Sequence, residues 1–102
     1  MQESMQAAQS KLAKLLEGYE PTAGLYVRVH GDNLILGRRE PIGPSGELEN
    51  SDRVRLTLLA AATYGLSVKR HTGRWERTPF AGTMEEMVDT LIGCMQHLVA
   101  PD

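Results

Sequence analysis

The spacing of apolar residues changes period twice along this chain of 102 residues, and that change constrains the fold more than any single motif. Met5, Ala8, Leu12, Leu15, Leu16 and Tyr19 recur three and four apart, which is one stripe of an α-helix. From Leu25 onward apolar residues alternate with polar ones, as in strands with one buried face. From Met84 the helical spacing returns: Met84, Met87, Val88, Leu91, Ile92, Met95, Leu98 and Val99 form one wide stripe.

Local signals divide these regions. The first helix is predicted over residues 4–18, with Gly18 as a left-handed stop and Pro21 forbidding continuation. Gly24–His30 predicts a strand with Leu25, Val27 and Val29 inward. Gly31-Asp32-Asn33 is a turn, and Leu34 to Arg39 the returning strand. Pro41 to Asp52, with two prolines, two glycines and several acids, predicts a flexible surface loop. Arg53–Ala62 predicts a strand with Val54, Leu56, Leu58 and Ala60 inward, followed by a turn at Thr63 to Gly65. Leu66 and Val68 face the core, and Thr72-Gly73 turns the chain. Arg74–Thr78 is a last short strand carrying Trp75, which Pro79 ends or marks as an edge. Thr83-Met84-Glu85-Glu86 is a capping box opening the final helix, which Pro101 ends.

The expected architecture is therefore a single two-layer α+β domain over residues 1–102. An N-terminal helix and a C-terminal helix cover one face of a sheet of four or five mostly antiparallel strands in meander order. The covered face would carry Leu25, Val27, Val29, Leu34, Leu36, Val54, Leu56, Leu58, Leu66, Val68 and Trp75. The opposite face would carry Tyr26, Arg28, His30, Arg53, Arg55, Thr57, Lys69 and His71 and stay in contact with water.

Two stretches carry a resemblance. Gly31-Asp32-Asn33-Leu34-Ile35-Leu36-Gly37-Arg38-Arg39-Glu40-Pro41 is a hairpin leading into paired arginines and a proline. Tyr64-Gly65-Leu66-Ser67-Val68-Lys69-Arg70-His71-Thr72-Gly73-Arg74-Trp75 is an aromatic strand, a turn and a tryptophan strand. Together they resemble a family of small uncharacterised bacterial proteins, a domain of unknown function. The resemblance implies no catalytic residue, because that family has no established activity.

Chemistry-bearing patterns are sparse. His30, His71 and His97 fall outside any HExxH, HxH or CxxC spacing, so no metal site is expected. No glycine-rich phosphate loop and no nucleophile elbow is present, so no cofactor and no catalytic residue is assigned. The single cysteine, Cys94, excludes an internal disulfide and is expected to be a buried, inert thiol. Cysteine usage and the unbasic, polar start MQESMQAAQS point to the cytoplasm, and no run approaches the ~20 apolar residues that cross a bilayer.

Charge is unevenly laid out beneath a net −2: residues 24–80 carry nine cations and six acids, whereas 81–102 carry four acids and no cation. Placing Tyr26, Arg28, His30, Arg53, Arg55 and Lys69 on one sheet face sets like charges beside one another, which weakens a sheet unless an anion answers them. The reading is a non-catalytic interaction or assembly module that binds another protein or a second copy, as a homodimer. One alternative is a nucleic-acid accessory protein using Arg28, Arg53, Arg55 and Lys69, against which stands a pI near 5.9. Another is a small-molecule binder or enzyme with a pocket near Trp75. A face whose interspersed acids screen the arginines, so that nothing binds, is the remaining possibility.

Overall fold

The computed structural model describes residues 4–99. Helix α1, Met5–Glu17, opens on Ser4, whose hydroxyl accepts the Ala7 N–H, and buries Ala8, Leu12 and Leu16. Gly18 is not the left-handed stop expected of it, since it stays right-handed at φ −75 and ψ −7. Tyr19 instead swings into an extended conformation and Glu20–Thr22 makes one 3₁₀ turn. Thr22 is fully buried, and its hydroxyl donates at 2.6 Å to the Leu16 carbonyl, which also accepts the Tyr19 N–H at 3.3 Å, so this carbonyl at the helix end is doubly satisfied.

Five strands follow: β1 (Tyr26–His30), β2 (Asn33–Ile42), β3 (Glu47–Ala60), β4 (Thr63–Lys69) and β5 (Trp75–Gly82). They form one sheet in sequence order with every neighbour antiparallel, the expected meander. The β1–β2 turn is the two residues Gly31-Asp32, with a positive φ of 60° only at Gly31, as a primed hairpin turn with leading glycine requires.

The surface loop expected over Pro41 to Asp52 is a second hairpin. Strand β2 continues to Ile42 and β3 begins at Glu47, leaving residues 43–46 as the turn, with φ of 61° at Gly43 and 75° at Gly46. Proline lacks a ladder donor, so Pro41 argues locally against a strand. Here β1 pairs β2 only as far as Gly37, so Pro41 lies beside a free edge where that loss is tolerated. The next turn is also displaced. It is Ala61-Ala62, with Ala62 at φ 57°, rather than Thr63 to Gly65, and Tyr64 becomes a buried strand residue. Pro79 does mark an edge strand, but β5 runs on past it to Gly82.

Three irregularities interrupt the ladders. Leu36 pairs with Val54 and Gly37 with Asp52, which leaves Arg53 as a bulge in β3. Leu58 pairs with Tyr64 and Ala60 with Thr63, so Leu59 bulges, and Ala60, expected inward, is exposed. Gly65 pairs with Ala81 but Ser67 with Arg77, so Pro79 falls inside an expanded bulge, where Thr78 donates its hydroxyl to the Leu66 carbonyl at 2.8 Å.

Helix α2, Met84–Cys94, opens on the predicted capping box: the Glu86 N–H donates to Thr83 Oγ1 at 3.1 Å, and the Thr83 N–H donates to Glu86 Oε1 at 2.9 Å. The expected single terminal helix breaks at Met95 (φ −128), and Gln96–Val99 forms a short α3. Pro101 lies outside the described residues. Cys94, expected to be buried, is exposed.

Helices α1 and α2 cover the same sheet face. Leu12, Leu16, Met84, Met87, Val88 and Leu91 share one core with Leu34, Leu36, Val54, Leu56, Tyr64 and Leu66. At the edge of this core the Arg38 guanidinium donates to three carbonyls: Val99 of α3 at 2.8 Å, Ala23 at 2.8 Å and Pro21 at 3.0 Å. One side chain of β2 thus ties down the last helix and the segment joining α1 to β1. Arg38→Met removes a charged donor from three carbonyls and is expected to lower unfolding free energy by roughly 2–4 kcal/mol. Arg38→Lys recovers only part of this, because an ammonium cannot reproduce the planar fork. Urea titrations of the three proteins check both.

Candidate functional site

The candidate site is the sheet face turned away from the helices. Its composition follows from ladder parity. Tyr26, Arg28 and His30 of β1 lie opposite Gly37, Ile35 and Asn33 of β2. Ile35 pairs in turn with Arg55, Arg55 with Ser67, and Ser67 with Arg77, so a row of Arg28, Ile35, Arg55, Ser67 and Arg77 crosses all five strands. Ile35 is buried although no helix covers this face. It sits between two arginines whose aliphatic stems can shield it while the charged ends reach water.

A second row contains Tyr26, Gly37 and Asp52. The Arg28 guanidinium donates to Asp52 Oδ2 at 2.6 Å and to Oδ1 at 3.2 Å, and the Tyr26 hydroxyl donates to the same Oδ1 in a short hydrogen bond. Arg28 holds the Asp52 carboxyl below its ordinary value of 3.8, with Tyr26 adding to the effect, while partial burial opposes it. The Tyr26 phenol is pushed well above its usual range, first by burial and then by its bond to Asp52. Tyr26 lies over Gly37, where an added Cβ would overlap the Ser51 carbonyl oxygen and sit 2.6 Å from Tyr26 Cζ. Glycine at this position is what lets the phenol reach Asp52.

Trp75 is on this open face, not under the helices as expected. It pairs directly with Lys69, which fixes it on the lysine's side of the sheet. Its ring carries the Arg55 guanidinium 4.9 Å from the centroid and the Lys69 ammonium at 5.7 Å. Arg55 Nε is the single buried side-chain polar atom without a hydrogen-bond partner among the described residues. Any pocket near Trp75 would therefore open on the uncovered side.

Of the six predicted site residues, the structure brings Tyr26, Arg28, Arg55 and Lys69 together around Asp52 and Trp75. His30 is on the same face but at its far end, beside the β1–β2 turn, and is exposed. Arg53 is not part of the face. As the bulged residue it turns to the helix side, donates to the Leu98 carbonyl at 2.9 Å and pairs with Glu40. Simple alternation from Val54 gave the opposite direction, and a bulge is invisible to that count. Asp52, Ile35 and Arg77 were missed. Asp52 lay in the supposed loop, and Arg77 could have been found by counting back from Lys69 across the Thr72-Gly73 turn.

Beside this face, β3 around residues 49–53 and the end of β4 with the turn that follows it border a cleft of about 460 Å³, lined by Glu49, Asp52, Arg53, Lys69, Arg70 and His71 among others. No group of three His, Cys, Asp or Glu side chains positioned to hold a metal occurs among the described residues. No described helix is long and apolar enough to cross a membrane. No family model matches the sequence, and neither a curated protein nor a solved structure is detectably similar to it.

Two outcomes test this geometry. Because the folded carboxyl of Asp52 titrates below its unfolded value, its contribution to stability is present above about pH 4 and is lost as pH falls through the folded value. Asp52→Asn should therefore flatten the acid side of a stability–pH curve measured by urea midpoints. Gly37→Ala places a methyl group against backbone and ring, and should destabilise by roughly 1–3 kcal/mol in the same assay.

Proposed function

We propose that this protein is a non-catalytic interaction module that self-associates, and that its working surface is the open sheet face around Arg55, Lys69 and Trp75. The observation that carries the reading is the charge on that face. Arg28, Arg55, Lys69 and Arg77 stand together with one carboxylate, Asp52, which Arg28 engages. No ion pair joins Arg55, Lys69 or Arg77 to an acid among the described residues. Exposed apolar side chains lie close by: Leu59, 44% exposed, packs over Gly65 of this face, and Phe80, 38% exposed, is in the β5 bulge. Cations beside an aromatic ring and exposed apolar groups suit an acidic protein surface, where both kinds of contact are met at once.

Nucleic acid fits this face less well. A phosphate chain would have to pass Asp52, and Arg28 is already engaged there. The Trp75 ring, the natural platform for a base, carries Arg55 and Lys69. The tests are sedimentation velocity from micromolar to millimolar concentration and gel shifts with random single-stranded DNA and RNA at low salt. Concentration-dependent self-association that weakens as salt rises, with no shift of the oligonucleotides, is the expected outcome. A strict monomer at millimolar concentration would defeat the self-association.

A further inference from the structure

We propose that two copies of this chain associate by exchanging arms: the acidic β2–β3 ribbon of each copy lies across the cation-bearing open sheet face of the other. The proposal rests on the face reading above and names its occupant.

The ribbon is the part of the fold that the fold itself does not explain. Strand β1 leaves β2 after Gly37, and β4 meets β3 only from Val54 onward. Arg39, Glu40, Pro41 and Ile42 therefore pair only with Asn50, Glu49, Leu48 and Glu47, with no third strand on either side. The fourteen residues of β3 at about 3.3 Å each account for the 48 Å long axis of a molecule only 26 and 25 Å across. A two-stranded ribbon without a third strand is marginal in water, and its two free edges are pairing surfaces. Leu48, 55% exposed, is the most exposed large apolar side chain among those described, and it sits on this arm.

The charges are complementary. The arm carries Glu40, Glu47 and Glu49 against Arg39 alone. Glu40 and Glu49 face each other across the ladder, an arrangement that weakens a hairpin, and Arg53 answers only Glu40. Glu47 and Glu49 have no ion-pair partner among the described residues. The open face holds Lys69, Arg55 and Arg77 in the same condition. The arm of one molecule thus offers carboxylates to the three cations on the face of another that have no ion pair among the described residues. A two-fold axis makes the contact twice, closing the assembly as a dimer.

Charge exchange tests this on the full chain, with sedimentation velocity for assembly and circular dichroism for fold. Reversing the arm (Glu47→Lys with Glu49→Lys) and, separately, the face (Lys69→Glu with Arg77→Glu) should each weaken self-association by roughly tenfold or more. Mixing the two variants should restore a dimer, because each basic arm then meets an acidic face and each acidic arm a basic one. Where reversal disturbs the hairpin, Glu47→Gln with Glu49→Gln is the substitute, and it should weaken the dimer without repulsion. If the arm variants dimerise like the parent while the face variant does not, the arm exchange is wrong and the face reading survives. If the mixture stays monomeric, the exchange is likewise overturned. A parent chain that is monomeric throughout removes the self-association and the exchange together. A monomer that binds a glutamate-rich peptide or a single-stranded oligonucleotide through Lys69 and Arg77 would assign the face to another partner and overturn the exchange.

Discussion

One-sided burial of a leucine layer is the constraint on which the rest of this fold depends. Leu34, Leu36, Val54, Leu56 and Leu66 come from the three central strands and are wholly removed from solvent. Leu12 and Leu16 of α1 and Leu91 of α2 close over them from one side only. Burial at roughly 25 cal/mol per Å² of apolar surface makes this layer the main source of stabilisation. Because side chains alternate along a strand, it also decides the other face. Every residue between two members of the layer must point away from the helices, which delivers Ile35 and Arg55 to a single open surface, where Arg28 joins them as the ladder partner of Ile35.

The bulges then edit what alternation proposes. An extra residue at Arg53 restores the core parity of Leu36 with Val54 while placing Asp52 opposite Gly37 on the open face. Without it, Arg53 would stand among the cations and Asp52 would be on the far side. The same single-residue slip therefore removes one positive charge from the face and adds a negative one that engages Arg28 and Tyr26. It also frees Arg53 to reach Glu40 and the Leu98 carbonyl, beside the contacts that Arg38 makes. A local irregularity in the ladder thus sets both the electrostatics of the open face and the anchoring of the last helix.

Long strands have a related consequence. Strands β2 and β3 outrun their neighbours, so the molecule consists of a covered sheet with an uncovered ribbon projecting from it. The covered part satisfies its own apolar surface. The ribbon and the open face do not satisfy theirs, and the two are opposite in charge. Both surfaces belong to the same chain, and the self-association proposed above draws on that imbalance.

Much of this was legible in the residues alone. Helical spacing in Met5–Leu16 and Met84–Leu91, alternation in Leu25–Val29 and Val54–Leu58, and the Thr83–Glu86 box determined an α+β meander with one covered face, because periodicity reports which side of an element is buried whatever it packs against; Tyr19, expected on the same helical stripe, is instead extended and exposed. The arm was not legible, since Pro41, Gly43, Pro44 and Gly46 have the composition of a loop and only pairing with residues 47–50 makes strands of their neighbours. The positions of Arg53 and Trp75 were not legible either. Each depends on register between strands, and register is a non-local quantity set when bulges and turns bring two segments into the one alignment that keeps the leucine layer dry.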